Sequence, residues 1–590
     1  MKKFTLFFIM FALFFCGLTT FAQEVLVVEP GVGTLNAAIG ENGGNKIYQL
    51  KAGQWYQLDA IIENVDYHLQ IVGQAPTGGG MPATLQTNAD AGGSVFNKMF
   101  DAKGDITLKG IYFVNADLTG VVGNEFLNQS KEDGRIIIDN CIIDPVSSSN
   151  GIFINSGNTK TYFTNNLCIR MGHQLNPNDG HFFVTDNSSG KGVDTLHVEN
   201  NTFVAMGTSM HAGGFNKFVH NYINWNHNTW VLQKSQIDWS NWENEMYFTN
   251  NLMFDFQTQP WAANWQPMPG GDATQPHPAL IYADTIPDET LPSSRIQYWE
   301  YNMHYRNPKF YTLLIELNEQ GKTDGYASNM IFQPLLWTED SINAQDPSNI
   351  PRETILFKDD VTFPNWKYGN TMTDIDPQFE DQKIYEHSDK FVEWTKPASM
   401  VHGQGYPADQ VPPASQWAQW HWDLDGDPSI NDAWPAFNGK YSNPALLKAS
   451  IENLPLGDLN WFPEAKAKWE AEKDAIFAHI KAGNEGKYVF TGIQSKIEGA
   501  DFTADCYPNP FTSESTISYT LKSNTSVEIS IVNIMGQEVI SLVNEDKPAG
   551  SHTIKWNGKD NNGNRLQTGM YLYKIKTDTG SKAGRIIFSK

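Results

Sequence analysis

Cysteine is nearly absent from this 590-residue chain, which carries only four. Cys16 lies in the apolar N-terminal run, and the remaining three, Cys141, Cys168 and Cys506, form an odd, sparse set. That excludes the disulfide framework on which small exported domains depend. Positive charge is also short: 42 Lys and Arg stand against 66 Asp and Glu, a formal net charge of −24. Nucleic acid and anionic membrane surfaces would repel such a chain, and neither is expected as a partner. After residue 22 no stretch is apolar enough to span a bilayer, so no transmembrane segment is expected in the mature chain. No nucleophile motif, phosphate loop or Cys/His zinc spacing occurs.

What is present begins with export. Met1-Lys2-Lys3 is a basic start, followed by the apolar run from Phe4 to Leu18 and the small-residue exit Thr20-Phe21-Ala22. Residues 1–22 therefore read as a secretory signal peptide cleaved after Ala22. Phe15 precedes Cys16 where a lipoprotein signal needs a small residue, so lipidation is not expected. The length exceeds what one ordinary core organises and calls for several units or an elongated repeat array.

A repeated phrase supplies the array. Alternating residues, an Asn and an apolar pair recur around Asn140, Asn166, Asn201, Asn221 and Asn251, with weaker copies at Asn302 and Asn329. Gly110 takes the place of the Asn in an earlier copy. Recurrence every ~20–35 residues, with one longer gap, is the spacing of a stacked-coil solenoid. Three residues before the Asn stand Ile137, Phe163, Val198, Phe218, Phe248, Trp299 and Tyr326. Two residues after it stand Ile142, Cys168, Phe203, Ile223, Met253, His304 and Ile331. These columns predict a stacked interior on either side of a bend. An Asn at the same corner of successive coils can hydrogen-bond along the stack and tolerate a left-handed backbone. Cys141 lies one residue beyond its Asn and Cys168 two beyond, so alternation points them to opposite faces as apolar fillers.

These residues resemble the right-handed parallel β-helix of the pectate-lyase-like superfamily, a fold that carries lyases, hydrolases, epimerases, adhesins and inert surface proteins. The competing reading is an antiparallel β-sandwich with coincidental Asn. The expected β-helix spans 23–400, with an entry region from Val25 to Phe96, a short capping helix over Leu35–Ile39, and coils from Asp105 to Phe332. Residues 401–487 read as a loop-rich segment ending in an amphipathic helix from Pro463 to Gly483, expected to cap the last coils. A linker at 488–505 leads to 506–590, whose short alternating strands predict a small β-sandwich. The fold class is thus all-β: a parallel β-helix solenoid followed by an immunoglobulin-like sandwich.

In the C-terminal segment, Tyr507-Pro508-Asn509-Pro510-Phe511, Ile534-Met535-Gly536-Gln537-Glu538-Val539, Trp556-Asn557-Gly558-Lys559-Asp560, Thr568-Gly569-Met570-Tyr571 and the terminal run from Gly584 to Lys590 stand in order. Together they resemble the type A C-terminal sorting domain of the type IX secretion system. The resemblance implies recognition by that machinery at the outer membrane, usually with removal of the domain. The cargo is then released or attached to the cell surface.

Candidate chemistry is dispersed. Six Trp lie between Trp225 and Trp265, of which Trp225, Trp230, Trp261 and Trp265 are candidate sugar-stacking residues. The same residues could instead pack loops on the solenoid. The β-helix resemblance implies lyase chemistry: a base and a cation that neutralises a uronate carboxylate. The column four beyond the Asn holds Asp144, Arg170, Ala205, Trp225, Asp255, Arg306 and Gln333, and Arg170, His173 and Arg306 are the catalytic candidates. A surface ion-pair ladder is the alternative for that column. Asp423, Asp425 and Asp427 alternate as in half of a calcium loop, making calcium the one cofactor considered. Pro428 and Trp434 depart from that motif, and a solvated acidic turn is the other reading. The expected partner is extracellular polysaccharide, bound or degraded by a lyase or hydrolase, or bound by a non-catalytic surface protein.

Overall fold

In a computed structural model the chain divides into two compact units, Met1–Lys466 and Ala467–Lys590. The structure describes residues 23–77, 80–171, 180–185, 190–207, 209–212, 219–233, 238–240, 242–256, 258, 261–262, 281–283, 294–324, 330–331, 361, 364–401, 437–482, 486–490, 502–507, 511–532, 538–567, 569–578 and 580–588.

The first unit is a parallel β-helix. Successive coils lay their strands into two 11-stranded sheets and one 8-stranded sheet. All pairings within these three sheets are parallel, which excludes the antiparallel sandwich. Coils begin at Glu24–Val28, well before Asp105, and the first sheet runs to Trp366–Gly369. The region expected as an entry cap is therefore already coiled, with the helix Thr34–Asn42 at its start. The earliest coils escaped the Asn pattern because other residues stand at their first corner: Leu50 and Gly73 hold the register place of Gly110, and of the three only Gly110 has a positive φ, +64. A Cβ on Gly73 would sit 2.1 Å from Gly110 O, so backbone passes too close there for any side chain.

Two adjacent columns build the first corner. Gly110, Asn140, Asn165, Asn200, His227, Asn250, Tyr301 and Asn370 all have positive φ, so this column supplies the left-handed turn. The next position, Cys141, Asn166, Asn201, Asn228, Asn251 and Asn302, forms the ladder. Asn201 Oδ1 accepts from Asn166 N at 2.9 Å and from Asn166 Nδ2 at 3.0 Å. Asn201 Nδ2 donates to Asn228 Oδ1 at 3.0 Å and to Phe163 O at 2.9 Å. The pattern continues through Asn251 to Asn302. The buried amides of this ladder thus pair with one another and with backbone.

This register corrects the sequence columns at three coils; the last expected copy is displaced, since Ile331 pairs antiparallel with Trp261 and the coil after Asn302 turns at Asn370. Asn140 is a turn residue, and Cys141 occupies the ladder place, its N–H donating to Asn166 Oδ1 at 2.9 Å. Asn221 is exposed, and its coil turns seven residues later at Asn226-His227-Asn228. The true interior columns are Ile138, Phe163, Val198, Trp225, Phe248 and Trp299, and Ile143, Cys168, Phe203, Trp230, Met253 and His304. Cys141 and Cys168 both lie in the apolar interior, as free thiols, not on opposite faces. Aromatic rings stack along the axis: Phe203 on Trp230 at 5.7 Å, Trp230 on Phe248 at 5.9 Å, and Phe248 on Trp299 at 4.5 Å. Each such burial contributes roughly 1.5–3 kcal/mol.

The second sheet is covered. Val204, Val231, Leu252, Phe254 and Met303 form a second apolar cluster with the helices Pro308–Asp324 and Lys383–Val401 and with Leu446 and Leu456. Neither helix was anticipated, because their apolar stripes are short and interrupted. Residues 451–466 then run along the first corner and are held by its turn residues. Ile451 N donates to Asn250 Oδ1 at 2.9 Å, Glu452 pairs with buried His227, and Leu459 N donates to Asn200 Oδ1 at 3.3 Å. Lys466 Nζ reaches Asn165 Oδ1 at 2.8 Å. Four successive coils therefore present one anchor each to a single strap.

In the second unit, the helix Pro463–Lys481 crosses the boundary between the units and buries Trp469, Ile476 and Ile480. Beyond it lie a three-stranded and a four-stranded antiparallel sheet. Their shared core includes Ile517, Val527, Ile529, Ile531, Trp556, Ile575 and Phe588. This is the immunoglobulin-like sandwich that the alternating strands predict.

Candidate functional site

The sequence candidates do not converge. Trp225 and Trp230 are fully buried in the interior, so the expectation of sugar stacking at these two gives way to a packing role. Their displacement follows from the corrected register. Trp261 has its backbone in the two-residue strand Trp261–Ala262, paired with Met330–Ile331. His173, Trp265, Asp423, Asp425 and Asp427 lie outside the described residues, as does most of the insertion between Asn251 and Asn302.

The two arginines sit at the second corner, where Arg170, Ala205, Leu232 and Asp255 have positive φ. Arg170 Nε donates to Asp144 Oδ1 at 2.6 Å, and Asp144 is buried. Arg306 is buried as well; its Nη2 donates to Phe256 O at 3.2 Å and its guanidinium lies 5.9 Å from the Tyr311 ring centre. Asp255, its register neighbour, accepts from Ser388 Oγ and from Asn307 N at 2.6 Å. Burial pushes the Asp255 carboxyl up to about 7. This corner ties covering elements to the solenoid through buried polar contacts.

A different surface gathers polar and aromatic groups: the outer face of the first sheet. Four residues before each ladder position stand Tyr162, His197, Asn224, Tyr247 and Tyr298, in direct register. Two residues before it stand Thr164, Glu199, Asn226, Thr249 and Glu300. Tyr222 and Glu245 form a third column on the other side. Parallel strands place equivalent residues of neighbouring coils ~4.8 Å apart, so each column is a continuous ladder. Tyr162 and His197 have ring centres 6.1 Å apart, Tyr222 and Tyr247 5.8 Å, and Tyr247 and Tyr298 6.4 Å. Tyr162, His197, Tyr222, Glu245 and Glu300 are half-buried, while Glu199, Asn224, Asn226, Tyr247, Thr249 and Tyr298 are buried.

The electrostatics of this face are mainly acidic, with Glu199, Glu245 and Glu300 against Lys367, which stands in register with Tyr298. Glu199 Oε2 lies 3.3 Å from His197 Nε2, and Asn224 Nδ2 lies 3.3 Å from His197 Nδ1. An amide donor at Nδ1 leaves the ring proton on Nε2, facing the carboxylate. Tyr247 donates to Glu245 Oε2 at 3.4 Å and Tyr298 to Glu300 Oε2 at 2.9 Å. Burial, and next the Glu199 and Glu245 carboxylates, hold the Tyr222 phenol well above its usual range. Burial and Glu245 do the same to Tyr247, and burial and Glu300 to Tyr298. These phenols stay protonated at neutral pH. They serve as hydrogen-bond donors and stacking surfaces, not as phenolate bases. Glu199 Oε2 and Asn224 Oδ1, both buried, have no hydrogen-bond partner of good geometry among the described residues. No group of three or more His, Cys, Asp or Glu that could hold a metal ion occurs among the described residues. The sequence signal for this face was present at the minus-four and minus-two positions, but only the correct register aligns it.

Comparison with known proteins adds one family match, confined to the C-terminal segment. Residues 510–581 match the FlgD Ig-like domain family, in agreement with the sandwich of the second unit. No curated protein matches the chain. Among solved structures, the PL6 family alginate lyase AlyGC is similar over 40% of this chain and 35% of its own, at 16% identity and a TM-score of 0.26. Latent PorU from Porphyromonas gingivalis is similar over 15% of this chain and 9% of its own, at 21% identity and a TM-score of 0.14. The alkylpurine DNA glycosylase AlkC from Pseudomonas fluorescens is similar over 22% of this chain and 40% of its own, at 13% identity and a TM-score of 0.13. The chain thus spans less than half the length of each. The strand order itself defines the class: a parallel β-helix protein with a C-terminal immunoglobulin-like domain.

Proposed function

We propose that this chain is an exported protein that binds extracellular polysaccharide along the outer face of its first sheet, and that it belongs with the pectate-lyase-like β-helices. The observation that carries the reading is the set of aligned Tyr, His and Glu columns. Aromatic faces take the C–H faces of sugar rings, and carboxylates and amides take their hydroxyls. A ladder repeating at strand spacing suits an extended polymer better than a single small molecule. Export follows from the N-terminal signal at 1–22, and sorting at the outer membrane from the motifs of 506–590, which would act as an address for the type IX machinery. The His197–Glu199 pair is the acid–base group on this face best placed to act on a bound chain.

A second reading, binding without catalysis, is favoured by the protonated phenols and by the engagement of Arg170 with Asp144. Incubating the processed protein with a panel of neutral and uronate-containing glycans separates the readings. New ultraviolet absorbance from unsaturated uronates marks a lyase, and new reducing ends without it mark a hydrolase. Binding with neither marks the non-catalytic protein. Absence of binding and products across a broad panel overturns the proposal.

A further inference from the structure

We infer that the polysaccharide taken by this face is an uncharged, hydroxyl-rich glycan and not a uronate polymer; the inference rests on the glycan-binding reading of the same face. Its ground is the placement of charge. Glu199, Glu245 and Glu300 stand on three coils of the face. Two lysines at its near end are already paired, Lys160 lying 3.1 Å from Asp194 and Lys109 3.5 Å from Asp139, and Lys367 continues the column beyond Tyr298, one cation against three carboxylates. A polyuronate would lay a carboxylate on every sugar beside this acidic row, and like charges on a half-buried face disfavour binding.

Hydrogen-bond demand points the same way. The buried acceptors Glu199 Oε2, which meets only His197 Nε2 at 3.3 Å, and Asn224 Oδ1 lack a well-directed donor among the described residues. Tyr247 and Tyr298 already donate to Glu245 and Glu300. The face therefore offers acceptors and needs donors. Sugar hydroxyls supply donors, whereas an ionised carboxylate has none.

The test is a binding titration of the full chain against soluble neutral glycans (a β-glucan, a mannan, a xylan) and against alginate and polygalacturonate, with chelator and with added calcium. At least one neutral glycan should bind with an affinity that changes less than about twofold between roughly 20 mM and 500 mM salt. The uronates should bind at least about tenfold more weakly at low salt. Glu199→Gln, checked for an unchanged melting temperature, should narrow that gap by raising uronate affinity about threefold or more. Uronate binding tighter than any neutral glycan, lost in Tyr222→Ala, overturns the substrate class while leaving the binding face in place. Failure of every glycan to bind overturns both.

Discussion

The Asn ladder gives the sharpest stability prediction. Truncating Asn201 to Ala removes a side chain that accepts from Asn166 N and Nδ2 and donates to Phe163 O and Asn228 Oδ1. Two of those partners keep a second bond: Asn166 Nδ2 still donates to Ile138 O, and Asn228 Oδ1 still accepts from Asn201 N. The Asn166 N–H and the Phe163 carbonyl lose a partner in a fully buried corner. At about 1–3 kcal/mol for each unsatisfied group, plus the lost bonds, the expected destabilisation is about 3–5 kcal/mol. Asn221→Ala is the matched control, since Asn221 is exposed and its side chain makes, among the described residues, only long contacts to Asp194 and Asn244, 3.4 and 3.3 Å. It should change stability by less than about 0.5 kcal/mol. Denaturant unfolding followed by the fluorescence of the interior tryptophans measures both. Equal losses in the two variants, or a loss under about 1 kcal/mol for Asn201→Ala, would refute the ladder register.

Other outcomes follow from the buried carboxyls and the strap. Burial raises Asp255 and Asp458 to about 7, so their protons favour the fold: the contribution is complete below about pH 4 and is lost as pH rises toward 7. Asp458→Asn should flatten the fall in stability across that window relative to the wild type, by up to roughly 4 kcal/mol; melting curves at pH 4, 6 and 8 read the difference. Gly457 has φ +76, and a Cβ there would lie 2.3 Å from Thr229 Oγ1. Gly457→Ala should therefore cost about 2 kcal/mol or more and raise amide exchange in the strap, where Gly457 N donates to Asn250 O at 2.7 Å. Trp230→Ala, deleting a ring stacked between Phe203 and Phe248, should destabilise the solenoid by about 3–5 kcal/mol in thermal unfolding.

Much of the architecture was legible because one physical device repeats. The Asn phrase marks a corner where amides pair, and apolar residues at fixed offsets mark the interior. Neighbouring Asn residues play two roles, however, and sequence alone does not separate the left-handed turn from the ladder. Asn140 attracted the ladder assignment that belongs to Cys141. Around residue 221 a good local match hid the real corner, where His227 makes the turn. That slip of seven residues moved Trp225 to the second bend and Trp230 off the columns, and so made two core tryptophans look like binding residues. The helices Pro308–Asp324 and Lys383–Val401 were invisible because packing onto the second sheet, not their own periodicity, stabilises them. The Tyr, His and Glu face was missed for a related reason. Single outward residues carry no pattern along the chain and become a surface only when coils are stacked in register.

The most direct test of the binding face is hydroxyl-radical footprinting of the chain with and without a saturating neutral glycan that it binds. Tyr162, His197 and Tyr222 are half-buried on the outer face of the first sheet and open to oxidation in the free protein. The account predicts that glycan protects these three side chains together, while exposed Trp55 and Leu118 elsewhere on the solenoid are unchanged. Protection confined to other surfaces, with Tyr162, His197 and Tyr222 oxidised equally in both states, would contradict it.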